Sequence, residues 1–220
     1  MAGKADAIRL ALKYSNIPFE DYKLKDGEFE KLQESGILPF GQVPALEVTS
    51  DNKKTILVQT GAILRFIAKL APQKSLVPSC PIQACQVDAL VCQETDVFQS
   101  ARCVIYASKW WCGLELDNQT AQNCLDNINN EILPRHFENL ERIIKSSPTK
   151  WIAGTDAPSI ADFQWAGFLP AVKRGWSRSG NVLDDANYPE LNKWLENFYD
   201  LPAVVEWYSQ NPYKLWFPEC

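Results

Sequence analysis

Two short stretches of the sequence, FGQVPALE from Phe40 to Glu47 and VQTGAILRF from Val58 to Phe66, carry residue types that could bind a peptide. Pro44 stands where a strand should begin, and a Val-Pro peptide bond adopts the cis form at modest cost. A cis bond there would turn the N–H and C=O groups of Val43 away from the sheet. Those two groups would then be free to pair with another extended peptide.

The second stretch offers a site for an anion. Gln59 and Thr60 precede an apolar helical pattern, so Thr60 is expected at the amino terminus of a helix. Such a terminus has unpaired N–H groups and the positive end of the helix dipole, which together bind a carboxylate. Each residue also has a plain interpretation, Thr60 as an N-cap and Pro44 as an edge-strand proline. Their order along the chain, with a hairpin between them, favours the binding interpretation.

The elements around these stretches alternate between helix and strand, which is typical of a mixed α/β domain. Helical spacing, turn residues and breakers predict, in chain order, a helix through Ile8 and Leu12, a strand Phe19–Leu24, a charged helix Glu28–Ser35, strands Ala45–Val48 and Thr55–Val58, and a helix Thr60–Leu70. The inner face of the last helix is predicted to carry Ile63, Phe66, Ile67 and Leu70.

The chain after residue 71 is helical in period throughout. A breaker-rich segment from Ala71 to Ser75 separates the two halves, and we predict domains at 1–71 and 83–220 joined by a linker at 72–82. Within the second half, Ser159 and Asp162 form a capping box in which each residue can satisfy the other's unpaired backbone N–H. We interpret this box as a local helix start without catalytic meaning.

The composition narrows the classes of function. A formal net charge of -5 and a pI near 5.0, with no run of Lys and Arg, argue against nucleic acid and membrane as partners. The seven cysteines lack metal-ligand spacing and His136 is the single histidine, so no metal site is expected. Six of these cysteines fall in helical sequence, where we expect small buried side chains. An amino terminus without a secretory pattern predicts a cytoplasmic protein.

An ordered set of motifs resembles the cytosolic glutathione transferases along nearly the whole chain. Gly3–Arg9 is similar to the family's G-R-A-E-x-I-R, Leu38–Pro44 to its L-P-F-G-Q-x-P, and Gln59-Thr60 to its Gln-Ser. Val87 to Asp96 resembles the family's fourth helix, and Ser159 to Phe163 its capping box. The similarity is greatest to the sigma, pi and alpha types, which use a tyrosine.

The resemblance implies a thioredoxin-like α/β domain followed by an all-α domain, with glutathione as the co-substrate. It also implies a small electrophile as second substrate and a homodimer. The implied activity is conjugation of the glutathione thiolate to that electrophile, or a related isomerase or peroxidase reaction. In this interpretation the cysteinyl unit of glutathione pairs with the backbone of Val43, and the γ-glutamyl carboxylate binds at Thr60.

The resemblance assigns further site residues. The glutathione site comprises Gln42, Val43, Pro44, Gln59, Thr60, Asp96 and Lys31. Asp96 is expected to face the glutamyl ammonium group of the glutathione that the partner subunit binds. Equally, Asp96 can be a helix carboxylate that faces only solvent. Lys31 is a candidate for the glycyl carboxylate. Tyr106 is the candidate for the electrophile site, with apolar wall from Trp110, Trp111, Trp216 and Phe217.

The sequence departs from the tyrosine-type pattern at its start. In those families a tyrosine on the first strand donates a hydrogen bond to the glutathione sulfur, but here only Met1 and Ala2 precede Gly3. The catalytic residue is therefore unknown, and we expect a natural beginning upstream of Met1. One alternative is a non-catalytic relative that kept the fold. Another is a helical scaffold in a larger assembly, suggested by eight tryptophans and the aromatic tail from Tyr213 to Phe217.

Overall fold

The computed structural model describes residues 3–105, 113, 115–173 and 182–211 of the chain. The first part contains helix α1 (Lys4–Tyr14), helix α2 (Glu28–Glu34), strands β1 (Ala45–Ser50) and β2 (Lys53–Val58), and helix α3 (Thr60–Leu70). A 3-10 turn (Pro72–Lys74) leads to helices α4 (Pro81–Ile105), α5 (Asn118–Asn127), α6 (Leu133–Ser146), α7 (Ile160–Lys173), α8 (Pro189–Tyr199) and α9 (Pro202–Gln210), with a π-helical turn (Ile128–Ile132) before α6. The predicted fold class, a thioredoxin-like α/β part followed by an all-helical part, is confirmed.

The predicted hairpin is present and is longer than expected. β1 and β2 pair antiparallel from Ala45 opposite Val58 to Ser50 opposite Lys53. Asp51 and Asn52 form the two-residue turn with φ angles of 50° and 60°, the left-handed pair that characterises a type I′ turn. Because this turn matches the twist of the strands, pairing continues up to the turn itself.

The predicted strand from Phe19 to Leu24 is wrong. Residues 19–24 adopt no regular structure, and the described sheet contains only β1 and β2. A strand needs a neighbour to accept its ladder hydrogen bonds, and no described strand lies beside this segment. Side chains fix it instead: Arg9 Nε donates to Asp21 Oδ1 at 2.7 Å, and the Phe19 ring lies 5.5 Å from the ring of Trp207.

Helix α7 forms the centre of the molecule. Its residues from Ile160 to Val172 are all buried, and it contacts α1, α3, α4 and α8. Gly167 permits the close approach of α1, because a Cβ atom there would lie 2.9 Å from the backbone nitrogen of Ala7. The apolar character of α7 on every side thus follows from its position between the two parts of the chain.

The predicted capping box opens α7, and its carboxylate also joins other elements. Asp162 is fully buried and accepts from both the N–H and the hydroxyl of Ser159 at 2.8 Å. The backbone N–H of Ile152 at 3.0 Å and the indole N–H of Trp194 at 2.8 Å donate to its other oxygen. Burial raises the pKa of Asp162, and these donors oppose that rise. The hydroxyl of Ser159 donates to the carboxylate of Asp162, whereas a capping box predicts that it accepts from the backbone N–H of Asp162.

Two predictions about buried faces need correction. Helix α3 buries Ile63, Leu64 and Ile67, while Leu70 at its carboxyl end is 52% exposed, because α1 and α7 cover the face centred between Ile63 and Ile67. The expected burial of the cysteines is also wrong for three of them: Cys80, Cys85 and Cys92 are exposed at the start and along the outer face of α4.

Among the helices of the described ranges, none combines the length and the apolar character that crossing a bilayer requires.

Candidate functional site

A cavity of about 270 Å³ lies between the α/β part and helices α4 and α7. Five residues of the predicted glutathione site line it: Gln42, Val43, Pro44, Gln59 and Thr60. They come from two segments, the loop before β1 and the junction between β2 and α3. Because β1 and β2 are paired along their length, the hairpin brings these two segments side by side at its open end.

The loop before β1 presents a free length of backbone. The Val43-Pro44 peptide bond is cis, and Val43 is 49% exposed. Within the described part of the chain, neither the N–H nor the C=O of Val43 takes part in a hydrogen bond. Helix α2 holds the loop, since Gln33 Nε2 donates to the Gly41 carbonyl at 2.8 Å, and Gly41 adopts a φ of 59° that suits glycine. The exposed peptide groups are therefore held in place by their neighbours.

The junction between β2 and α3 presents the end of a helix. Thr60 is the first residue of α3, and no side chain caps this helix. The first N–H groups of a helix have no intrahelical acceptor, so they remain available to a ligand. Gln59 has a φ of 70° and a ψ of 114°, a conformation that a residue with a side chain rarely adopts. Strain of this kind occurs preferentially at binding sites and turns Gln59 toward the cavity that it lines.

A buried ion pair lies at the junction of the two parts. Lys4, at the start of α1, places its Nζ 2.5 Å from Glu94 of α4, whose side chain is fully buried, and Gln164 of α7 also donates to that carboxylate. The ammonium group lies 4.2 Å from the centre of the Phe98 ring. Burial lowers the pKa of Lys4, Glu94 raises it, and the nearby Arg102 lowers it further. Lys4 and Gln164 both line the cavity.

The other predicted site residues lie elsewhere. Asp96 is exposed on α4 and does not line the cavity of its own chain. Lys31 is exposed on α2, where Phe29 of the same helix lines the cavity instead. Tyr106 falls outside the described residues, as do Trp110, Trp111, Trp216 and Phe217. The structure thus brings together five of the seven residues predicted for glutathione binding, around Val43 and Thr60.

Several cavity residues were not predicted from the sequence. They are Lys4, Phe29, Phe40, Thr95, Phe98, Gln99, Arg102 and Gln164. Thr95, Phe98, Gln99 and Arg102 follow the spacing of one helical face, a signal that was available within α4. Lys4 and Gln164 are separated from it by long stretches of chain, and only the packing of α1 and α7 against α4 brings them there.

The described lining residues carry two hydroxyl groups, those of Thr60 and Thr95, and include neither tyrosine nor cysteine. Tyr14 packs 5.5 Å from the Phe163 ring, and Tyr22 is exposed and donates to Glu28, so neither faces the cavity. No group of His, Cys, Asp and Glu within the described ranges is arranged to hold a metal ion.

Comparison with known proteins gives consistent matches over both parts. Residues 1–69 match the model of the glutathione S-transferase N-terminal domain, and residues 107–211 match that of the C-terminal domain. Hematopoietic prostaglandin D synthase of Rattus norvegicus is 34% identical over 217 residues, which cover 96% of this chain and 93% of the synthase. A glutathione S-transferase of Anopheles gambiae is 28% identical over 201 residues, or 91% of this chain and 83% of the relative.

A solved structure agrees with these matches. Prostaglandin synthase D of Nilaparvata lugens superposes with a TM-score of 0.74 at 26% identity and covers 97% of this chain and 96% of its own. The likeness spans both the α/β part and the helical part, so the relative placement of the two is shared as well.

Proposed function

The chain belongs to the glutathione S-transferase family, and on that premise we propose that it binds glutathione in the cavity and conjugates the glutathione thiolate to a small electrophile. The observation that carries this proposal is the joint position of Val43 and Thr60 on one cavity. Val43 offers its unpaired backbone N–H and C=O groups to an extended peptide, and Thr60 offers the amino-terminal N–H groups of α3 to a carboxylate. Glutathione carries both of these features.

The binding mode follows from these two groups. The cysteinyl unit pairs with the N–H and C=O of Val43 as an additional antiparallel rung. The γ-glutamyl carboxylate then lies against the first N–H groups of α3 and the hydroxyl of Thr60. The side-chain amides of Gln59 and Gln42 lie beside it. In this position the thiol points toward the wall formed by Lys4 and α4.

The chemistry is a nucleophilic substitution or addition by the thiolate. A free thiol has a pKa of about 8.5, so little thiolate exists at neutral pH unless the site stabilises it. The thiol proton leaves to solvent, the sulfur forms a bond to the electrophilic carbon, and a leaving group such as chloride departs with its electron pair. A glutathione-dependent isomerase is a related outcome, since the Rattus norvegicus relative is by name a prostaglandin D synthase and the Nilaparvata lugens structure a prostaglandin synthase D.

The cavity also favours a second candidate, a glutathione-binding protein without catalysis. The described lining residues include no tyrosine that could donate a hydrogen bond to the sulfur. Lys4 lines the cavity as a cationic group, but it is paired with Glu94. The two candidates differ only in turnover, and one experiment separates them.

That experiment measures binding and turnover on the same preparation. We expect glutathione to raise the melting temperature and to give a calorimetric binding isotherm, since a ligand that binds only the folded state stabilises it. A chlorodinitrobenzene is then offered, and its absorbance change is compared with that of glutathione alone. Binding with turnover supports the transferase, and binding without turnover supports the second candidate. Absence of binding by glutathione contradicts both.

We further propose a homodimer in which Asp96 serves the site of the partner subunit. Asp96 is exposed and does not line the cavity of its own chain, as this arrangement requires. Light scattering after gel filtration should give twice the monomer mass, and Asp96→Asn should weaken glutathione binding by about tenfold. A monomeric protein whose Asp96→Asn variant binds glutathione as tightly as the unaltered protein does would rule this arrangement out. Lys31 and Tyr106 stay predictions for the glycyl carboxylate and the electrophile.

A further inference from the structure

The single histidine of the chain lies where helix α6 meets helix α4. His136 is half-buried on α6, and its Nδ1 atom lies 3.2 Å from the side-chain amide nitrogen of Gln93 on α4. An amide nitrogen donates and does not accept, so Nδ1 is the acceptor of this hydrogen bond. A proton on Nδ1 would remove the acceptor. The contact with Gln93 therefore favours the neutral form of the ring.

A carboxylate lies beside this contact. Asp96 follows Gln93 by one turn on the same side of α4, and side chains at this spacing have their Cβ atoms about 5–6 Å apart. The ring that contacts Gln93 is therefore close to Asp96, and the negative charge of Asp96 acts on it. Asp96 is exposed and forms neither a hydrogen bond nor an ion pair with any residue that the structure describes. Its carboxylate is thus available to a ligand.

Two charged residues act on His136 within the described ranges. Arg135 precedes it on α6, and Asp96 faces it from α4. Burial lowers the pKa of His136, Arg135 lowers it further, and Asp96 raises it, with a net result below the ordinary histidine value of 6.5. His136 is consequently neutral at neutral pH and becomes charged only in mildly acidic solution.

We propose that His136 is a pH-sensitive positioning residue that controls whether Asp96 can serve the glutathione bound by the partner subunit. This inference rests on the proposed function, in which Asp96 binds the glutamyl ammonium group. When His136 is neutral, the carboxylate is available to that ammonium group. When His136 is protonated, the imidazolium competes with the ammonium group for the same carboxylate. Glutathione is then held less tightly in acid.

The first test uses the unaltered protein. Proton NMR follows the titration of His136 directly, because the chain has one histidine. Saturating glutathione should lower the pKa of His136, since the ligand favours the neutral ring and the coupling between two binding events is reciprocal. Calorimetry should show the dissociation constant of glutathione rising about threefold between about pH 7.5 and about pH 5.5, the size expected for a partly exposed ion pair.

Three variants assign the pH dependence to its residue. His136→Gln keeps a side chain that can accept from Gln93 but cannot be charged, so the dissociation constant should be nearly equal at both pH values. His136→Lys is charged at both pH values, so it should bind glutathione about threefold more weakly at the higher pH and lose no more in acid. Glu138→Gln is the matched control. It removes an exposed carboxylate of α6 whose charge acts on Tyr188 and not on His136, and it should keep the full pH dependence.

The outcomes separate this inference from the proposed function. If glutathione binds equally at both pH values, or leaves the pKa of His136 unchanged, the role of His136 is refuted while glutathione binding stands. If His136→Gln keeps the pH dependence, another group is responsible, such as the buried carboxyl groups of Asp6 and Asp162, whose pKa values burial raises, and the inference is overturned. If glutathione binds at neither pH, the proposed function fails as well. The NMR titration of the unaltered protein decides the question even where a variant folds poorly.

Discussion

At the scale of single residues, the glutathione half of the site combines two kinds of recognition. Val43 contributes peptide groups, whereas Thr60 contributes a hydroxyl group in addition to its N–H. A side-chain change should therefore affect the two positions differently, even though both line the same cavity. This contrast tests the proposed binding mode more sharply than the loss of binding in any one variant.

We predict that Thr60→Val weakens glutathione binding by about tenfold or more, because a hydrogen bond to a carboxylate contributes roughly 1.5–3 kcal/mol. Thr60→Ser should retain affinity, since the hydroxyl is kept. Val43→Ala should change the dissociation constant by less than about twofold, because the side chain is 49% exposed and recognition is through the backbone. Isothermal calorimetry checks all three. A large loss in Val43→Ala would show that the side chain is recognised.

At the scale of elements, the central helix α7 contains a proline whose consequence is repaired by a neighbour. Pro170 has no N–H, so the carbonyl of Ala166, four residues earlier, receives no helical hydrogen bond. Tyr199, the last residue of α8, donates its hydroxyl to that carbonyl at 3.1 Å. One side chain thereby satisfies a buried acceptor and joins α8 to α7.

We predict that Tyr199→Phe lowers the free energy of unfolding by about 1–3 kcal/mol, because it leaves the buried Ala166 carbonyl unpaired. Tyr14→Phe is the matched control: its ring also packs in the core, against Phe163, but its hydroxyl forms no hydrogen bond to any described residue. Urea denaturation of the two variants compares them directly. Equal losses would mean that the Tyr199 hydroxyl contributes nothing specific.

A helix or a strand could be predicted from the sequence where the pattern that specifies it lies within its own residues. Helix α3 begins at Thr60 and ends at Leu70 as predicted, because its amphipathic period lies between clear boundaries. The strand predicted at Phe19–Leu24 failed because a strand depends on a partner that local sequence does not specify. In the site, Val43 and Thr60 could be identified from a proline and a helix start, whereas Lys4 and Gln164 reach the cavity only through long-range packing.

At the scale of the whole molecule, the two parts of the chain are joined by charge as well as by apolar packing. Lys4 of α1 reaches Glu94 of α4, and Gln164 of α7 donates to the same carboxylate. Glu94 is fully buried, so these two donors take the place of the water that would otherwise bind its carboxylate. The same lysine lines the cavity. The ion pair that joins the two parts therefore also forms part of the site wall.

A double-mutant cycle on this pair tests the coupling. Lys4→Met should lower the free energy of unfolding by about 3–5 kcal/mol, because it leaves the Glu94 carboxylate buried without its cation. Glu94→Gln alone should also destabilise, since it leaves the buried ammonium without a counter-charge. The double variant should lose less than the sum of the two, because neither unpaired charge remains, and a coupling of about 1 kcal/mol or more is expected from urea denaturation. Strictly additive losses would mean that the pair does not hold α1 against α4.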